Sequence, residues 1–187
     1  SVALLAVSKT IAPAQVRECA AAGQHAFGEN YLQEALNKIE ALREPGIGIG
    51  PLDLEWHFIG PIQSNKTRPI AEYFQWVHSI ERERIAVRLN DARPHQLPPL
   101  NVCIQVNVSA EASKSGIAPG EVAALAQAIS ALPRLKLRGL MAIPEPTSDT
   151  ALRRQRYALL RELQNNLIAR GHSLDTLSMG MSDDLED

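Results

Sequence analysis

The sequence predicts an α/β protein built as a (β/α)8 TIM barrel. Seven short apolar segments have the composition of strands buried in a parallel sheet, and they alternate with six helix patterns. The intervals between strands suit successive right-handed crossovers. An open doubly wound sheet is the alternative. It lacks support, because no G-x-G-x-x-G follows the first strand and no G-x-x-x-x-G-K-[ST] occurs in the chain.

The first strand, over residues 2–10, runs through small and branched apolar residues and stops at Lys9. We expect it to be buried on both faces, with the lysine partly desolvated and therefore more readily neutral and nucleophilic. Ligands bind at the carboxyl ends of parallel strands, so Lys9 is a candidate Schiff-base nucleophile toward a carbonyl. The alternative is a solvated lysine that simply ends a strand.

The remaining elements of the first half follow from turn residues and apolar spacing. Pro13 suits the first turn of a helix and Gly23 its end. Apolar residues three and four apart indicate a second helix, and residues 44–53 form a loop rich in Gly and Pro. The predicted elements are helix 13–23, strand 25–28, helix 31–42, strand 54–60, a connection with a helix over 61–74, and strand 76–80.

In the second half, prolines and glycines again mark the boundaries. Pro119 opens a helix, Pro133 ends it, and Gly171 closes the long helix that follows. Residues 182–184, Ser-Asp-Asp, have the pattern of a helix cap with an acidic first turn. The predicted elements are helix 81–91, strand 101–108, helix 119–132, strand 137–143, helix 147–170 and strand 176–181.

These elements make residues 1–187 a single barrel domain with one unit missing. The chain opens on a strand and stops inside what should be its seventh helix. We therefore expect the eighth strand and an N-terminal helix to belong to a longer protein than this sequence covers.

Composition limits the expected partners and the expected cellular compartment of the protein. The formal net charge of −2 gives no strong field toward nucleic acid or membrane, so neither is an expected partner. Cys19 and Cys103 have no metal spacing and are expected in the core of a protein from a reducing compartment. Without an apolar run of roughly 20 residues or a signal peptide, the prediction is a cytoplasmic protein.

The strand ends collect the residues that could carry chemistry. We expect these to be Lys9, Glu29, Asn30, residues 63–66, His78, Ser79, residues 114–116, residues 144–146 and Ser182. Lys66, Arg68 and Lys114 are interpreted first as solvated loop charges and second as a basic rim for an anion. His57 is interpreted as a packed, hydrogen-bonded histidine rather than a catalyst. The sequence shows no metal-ligand constellation and no G-x-S-x-G elbow.

Ser182 follows the seventh strand, where barrels of this class place part of a phosphate site. A hydroxyl at a helix start, with the free N–H groups beside it, can cap the helix and bind an anion at once. Asp183 and Asp184 oppose an anion by charge and should point away from it.

Several motifs together resemble one known family. The motifs are Ala6-Val7-Ser8-Lys9-Thr10, Phe27-Gly28-Glu29-Asn30-Tyr31, residues 56–66 (WHFIGPIQSNK), Ser113-Lys114-Ser115-Gly116, residues 138–143 (RGLMAI) and residues 178–182 (SMGMS). They span nearly the whole chain, which resembles the pyridoxal phosphate homeostasis proteins, the YggS family. The resemblance implies a fold like the barrel domain of alanine racemase.

The same resemblance implies a cofactor and its ligands. Pyridoxal 5'-phosphate (PLP) would be held as a Schiff base on Lys9, with Asn30 beside the cofactor and Ser182 as a phosphate ligand. The family also uses an arginine on the eighth strand opposite the pyridine nitrogen and a Gly-Thr pair just after it. This sequence ends before those three positions.

Three functions stay open from these residues. The first and favoured one is a monomeric PLP carrier for vitamin B6 homeostasis without robust catalysis, with no catalytic residue assigned and with PLP-dependent apoenzymes as recipients. The second is an enzyme, either a fold type III amino-acid racemase or a lysine-dependent aldolase. A racemase would need a second domain and a tyrosine base, whereas Tyr31, Tyr73 and Tyr157 lie in helix patterns. The third is a barrel that binds a phosphate ligand non-covalently, with Lys9 as counter-ion.

Overall fold

A computed structural model describes residues 2–43, 54–109 and 115–181 of the chain. In these ranges strands and helices alternate without exception. The strands are β1 (Ala6–Val7), β2 (Ala26–Glu29), β3 (Glu55–Phe58), β4 (Trp76–Ile80), β5 (Leu100–Gln105), β6 (Leu135–Met141) and β7 (Thr176–Ser178). The helices are α1 (Pro13–Ala21), α2 (Leu32–Arg43), α3 (Thr67–Tyr73), α4 (Glu83–Ala92), α5 (Val122–Ser130) and α6 (Thr150–Ala169). Short 3-10 turns, Ser64–Lys66 and Pro119–Glu121, precede α3 and α5.

The described strands form one parallel sheet in the order β1-β2-β3-β4-β5-β6-β7. Each strand pairs with the next along the chain, and a helix covers each crossover. This sequential order is the order of a (β/α)8 barrel, so the predicted fold class is confirmed and the doubly wound alternative is wrong. In parallel sheets all carboxyl strand ends lie at one edge, which here gathers the candidate site residues.

The core lies mainly between the sheet and its helices. Phe27, Val77 and Ile104 of the strands are at most 1% exposed, as are Ile70 of α3 and Ile129 of α5. A second, smaller cluster consists of strand residues alone, Trp76, Cys103 and Met141. These three alternate with outer-core neighbours, so they point to the opposite, inner face of the sheet.

The first strand differs most from its prediction. Only Ala6–Val7 is strand, while Val2 and Leu4 are 102% and 65% exposed. The expected burial on both faces is therefore wrong. In the described residues β1 pairs with β2 alone, so its other edge has no strand to bury it.

Other differences are smaller. Gly23 and Gly171 follow α1 and α6 with φ of 98° and 94°, which confirms both predicted helix ends. Cys103 is buried as predicted, but Cys19 is exposed on α1, so its expected core position is wrong.

The loop 44–53, Lys114 and the cap at 182–184 lie outside the described residues. Within the described ranges, no helix combines the length and apolarity needed to cross a membrane.

Candidate functional site

Lys9 lies just past β1 at the carboxyl edge of the sheet and is exposed. The expected desolvation by a long buried strand is wrong, because β1 ends two residues earlier and has only one neighbour among the described strands. Its amine makes no hydrogen bond to any residue that the structure describes. It is therefore accessible to a ligand at the mouth of the sheet.

The backbone on both sides of Lys9 is fixed. Ser8 is buried, and its N–H donates to the carbonyl of Gly28 at 2.9 Å. The Ser8 hydroxyl donates to Glu29 Oε1 at 2.6 Å. Thr10 has φ of 63°, in the left-handed region, and its N–H donates to Glu34 Oε1 at 2.6 Å. The candidate nucleophile thus sits on a well-held turn, although its side chain is free.

A buried ion pair lies directly behind this turn. Lys38 of α2 and Glu29 of β2 are 3% and 0% exposed, and Lys38 Nζ pairs with Glu29 Oε1. Lys38 Nζ also donates to the carbonyl of Ser8 at 2.5 Å and pairs with Glu34 Oε1 at 3.1 Å. Two carboxylates and one backbone carbonyl therefore surround the ammonium.

Asn30 lies at the matching position of the neighbouring strand. The register pairs Val7 with Gly28, which places Lys9 and Asn30 equally far beyond the same rung of the sheet. A Cβ on Gly60 would be 2.1 Å from the Asn30 carbonyl oxygen, so only glycine permits this approach of the backbones. The Ser79 hydroxyl donates to the Gly60 carbonyl at 2.5 Å. This hydrogen bond links the end of β4 to the segment after β3 that approaches Asn30.

Two polar atoms at this edge are buried without a partner among the described residues, Asn30 Oδ1 and Glu29 Oε2. Buried polar atoms are nearly always hydrogen-bonded, so the unpartnered Asn30 Oδ1, at the strand position beside Lys9, indicates a ligand site. Glu29 is fully buried and pairs with Lys38 of α2, so its carboxylate belongs to the helix side of the sheet.

The other predicted mouth residues are less informative. Lys66 and Arg68 are exposed, as expected for solvated loop charges. Gly116 has φ of 107° and donates its N–H to Glu81 Oε2 at 3.1 Å, which ties the loop after β5 to the end of β4. Residues 144–146 follow β6. Ser182 and Lys114 lie outside the described residues, so their predicted positions remain predictions.

A polar chain occupies the inner face of the sheet. Glu55 Oε1 contacts His57 Nε2 at 2.9 Å, and His57 Nδ1 contacts His78 Nε2 at 2.8 Å. His78 Nδ1 in turn contacts Ser178 Oγ at 2.6 Å, and the His57 ring stacks on Trp76. His57 is thus the packed, hydrogen-bonded histidine that the sequence predicts, and His78 is a buried member of the same chain.

Both histidines are held neutral. Desolvation lowers the pKa of His57 to about 4 and, with a contribution from the neighbouring His57, that of His78 to about 3. Nearby, Arg138 lies 4.6 Å from the centroid of the Trp76 ring and pairs with Asp175 at 2.7 Å. The hydrogen bond between these two raises the pKa of Arg138 and lowers the pKa of Asp175. The inner face therefore joins β3, β4, β6 and β7 through polar contacts.

The sequence reasoning missed Lys38, although a signal was present. Lys38 occurs among the buried apolar positions of α2, with Ala35, Ile39 and Leu42. A lysine on the apolar face of a helix, four residues after a glutamate, indicates a buried ion pair. The partners Ser8 and Glu29 are distant in sequence, so only the fold identifies them.

The amino-acid sequence matches one protein family and has close relatives among known proteins. The family described as alanine racemase, N-terminal domain, matches residues 1–187. A pyridoxal phosphate homeostasis protein of Pseudomonas aeruginosa is 63% identical over 186 residues, covering 100% of this chain and 76% of that protein.

Solved structures with a similar fold include those of one protein determined without and with PLP. PipY of Synechococcus elongatus, solved without PLP, has a TM-score of 0.82 and 37% identity, covering 98% of this chain and 83% of that chain. The same protein solved with PLP bound has a TM-score of 0.80 and 36% identity, with the same coverage.

Proposed function

The chain belongs to the pyridoxal phosphate homeostasis proteins, within the alanine racemase N-terminal domain family, and on that premise we propose that it binds PLP through a Schiff base on Lys9. Asn30 lies beside the cofactor, and Ser182 contributes to the phosphate site. Residues 1–187 act as one PLP-binding barrel domain.

The observation that carries the proposal is the set of free groups at one edge of the sheet. The amine of Lys9 is exposed, and Asn30 Oδ1, at the matching position after β2, is buried without a partner in the described part of the chain. A nucleophilic amine beside an unpartnered amide oxygen fits a ligand with an electrophilic carbon and a polar group. A relative 36% identical, PipY, has been solved with PLP bound.

PLP supplies an aldehyde and an electron-withdrawing ring when bound. Lys9 would hold PLP through its amine, which would condense with that aldehyde and lose both hydrogens with the aldehyde oxygen as water. Ser8 and Thr10 fix the backbone of the lysine at this position.

The proposed role is carriage of PLP rather than turnover. Racemases that resemble this fold use a tyrosine base on the face of the cofactor opposite the lysine, and a positioned base contributes roughly 10²- to 10⁴-fold in rate. Tyr73 and Tyr157 lie within α3 and α6, and Tyr31 directly precedes α2. We propose that the protein buffers PLP in the cytoplasm and passes it to PLP-dependent apoenzymes.

The deciding experiment is adduct mapping. Protein mixed with PLP should develop imine absorbance that borohydride removes, and mass spectrometry should locate the reduced adduct on Lys9. Lys9→Ala should abolish the imine absorbance. Lys136 is an exposed lysine on β6, so the control variant Lys136→Ala should retain that absorbance. A label found mainly on Lys114 or Lys66 would show that the assignment of Lys9 is wrong, and absence of any adduct would favour the non-covalent barrel.

A further inference from the structure

The backbone around Lys9 is held by side chains from α2. Lys38 Nζ donates to the Ser8 carbonyl at 2.5 Å, and Glu34 Oε1 accepts from the Thr10 N–H at 2.6 Å. The two contacts flank Lys9 on either side. Because Thr10 has the left-handed φ of 63°, which is unfavourable outside glycine, the turn needs such contacts to persist.

The charges in this cluster are poorly explained by stability alone. Lys38 and Glu29 are almost completely buried, and burying two charges costs more than burying apolar groups of the same size. An apolar residue at position 38 would match its neighbours Ala35, Ile39 and Leu42. What an apolar residue cannot do is donate to the Ser8 carbonyl and fix the Glu29 carboxylate that accepts from the Ser8 hydroxyl.

We infer that Lys38 is a positioning residue for Lys9, acting with Glu29 and Glu34 through the backbone of Ser8 and Thr10. This inference rests on the proposed function, because it concerns how fast Lys9 reaches an aldehyde. Lys38 touches Ser8 and two carboxylates, so it acts on Lys9 only through the backbone that carries the side chain. A reacting group displaced by about 1 Å can lose roughly 100-fold in rate.

The test compares the rate of imine formation with PLP, followed by absorbance, in wild type and Lys38→Met. We expect a decrease of roughly 10- to 100-fold. Lys38→Arg, which can keep both the donor and the charge, should recover part of the rate. Lys136→Met, at an exposed site on β6, should react at the wild-type rate.

Two further variants keep the test decisive if Lys38→Met does not fold. Glu29→Gln/Lys38→Met leaves no unpaired buried charge, and Glu34→Ala alters only the half-exposed side of the cluster. Each should slow imine formation, Glu34→Ala by several-fold because it releases the Thr10 N–H and leaves the Lys38 contacts to Ser8 and Glu29 in place. Wild-type rates in these variants would overturn the inference.

Non-covalent affinity separates positioning from general damage. In the Lys9→Ala background, adding Lys38→Met should change the dissociation constant for PLP by less than twofold, because Lys38 is not proposed to touch the ligand. An affinity loss as large as the rate loss would overturn the positioning role. If wild type itself forms no imine on Lys9, the proposed function fails. If wild type reacts and the variants match it, only this inference fails.

Discussion

At the scale of single residues, the two cysteines differ in solvent exposure and should therefore differ in reactivity. Cys103 is fully buried on the inner face, and desolvation raises the pKa of its thiol to about 12, whereas Cys19 is exposed on α1. We expect a thiol reagent such as DTNB to modify one cysteine in the folded protein and two after denaturation. Cys19→Ser should remove the fast reaction and Cys103→Ser should leave it. Fast modification of Cys103 in the native protein would contradict the described inner face.

The inner-face histidines make stability depend on pH. Their folded pKa values, about 4 and about 3, lie below the unfolded value of 6.5, so the unfolded chain binds more protons between these limits. Stability should therefore fall as pH decreases through this window and level off below it. Between pH 7.5 and 5.0 each histidine should account for about 2 kcal/mol of lost unfolding free energy.

Denaturant unfolding at the two pH values measures this effect. His57→Gln should reduce the pH-dependent difference relative to wild type, since one of the two neutral histidines is gone. His95→Gln, at an exposed loop position, is the matched control and should behave as wild type. An unchanged pH dependence in His57→Gln would show that the histidine is not held neutral.

At the same scale, the site was only partly predictable. Lys9 and Asn30 could be proposed because they end strands in a recognisable motif. The Lys38 contact to Ser8 joins residues 30 apart, and the Glu29 contact to Ser8 joins residues 21 apart. Such contacts depend on the packing of α2 against the strand ends, which local sequence patterns do not encode.

At the scale of elements, β6 and β7 approach unusually closely at Gly139. A Cβ there would be 1.7 Å from the Thr176 carbonyl oxygen, so Gly139→Ala must push the strands apart. We expect a loss of roughly 1–3 kcal/mol in unfolding free energy, measured by denaturant titration. Gly120→Ala is the control, because a Cβ there meets nothing within 4 Å. It should change stability by about 0.5 kcal/mol or less.

Element types were predictable from spacing, but some boundaries were not. Strand β4 has the predicted bounds, because its residues are all buried between two neighbouring strands. Strand β1 is much shorter than predicted, since an apolar composition cannot show whether a strand has partners on both sides. Helices α4 and α6 begin two and three residues later than predicted, a common uncertainty at helix ends.

At the scale of the whole molecule, the carrier role makes a prediction about turnover. With PLP bound, the protein should racemise alanine no faster than free PLP to within about tenfold, because a positioned base is worth roughly 10²- to 10⁴-fold and none is assigned. Chiral chromatography of the product measures this. Turnover at roughly 1 to 10³ per second would favour the racemase alternative instead.

The topology of the described sheet could be predicted because parallel strands joined by single helices have few allowed arrangements. Repeated strand and helix patterns then fix the order of neighbours. The polar chain through Glu55, His57, His78 and Ser178 could not be predicted in full, since its last contact, from His78 to Ser178, crosses the interior between β4 and β7, which are not neighbours.

The strictly sequential strand order has a consequence for biosynthesis. Every strand pair in the described sheet joins consecutive strands, so a chain emerging from the ribosome can add each new strand to an edge already formed. The hydrogen bond between His78 and Ser178 differs, because it joins residues 100 apart and must wait until β7 has been translated. Until then His78 lacks its hydroxyl partner. The hydrogen bond between His78 and Ser178 therefore forms only once β4 and β7 have come together.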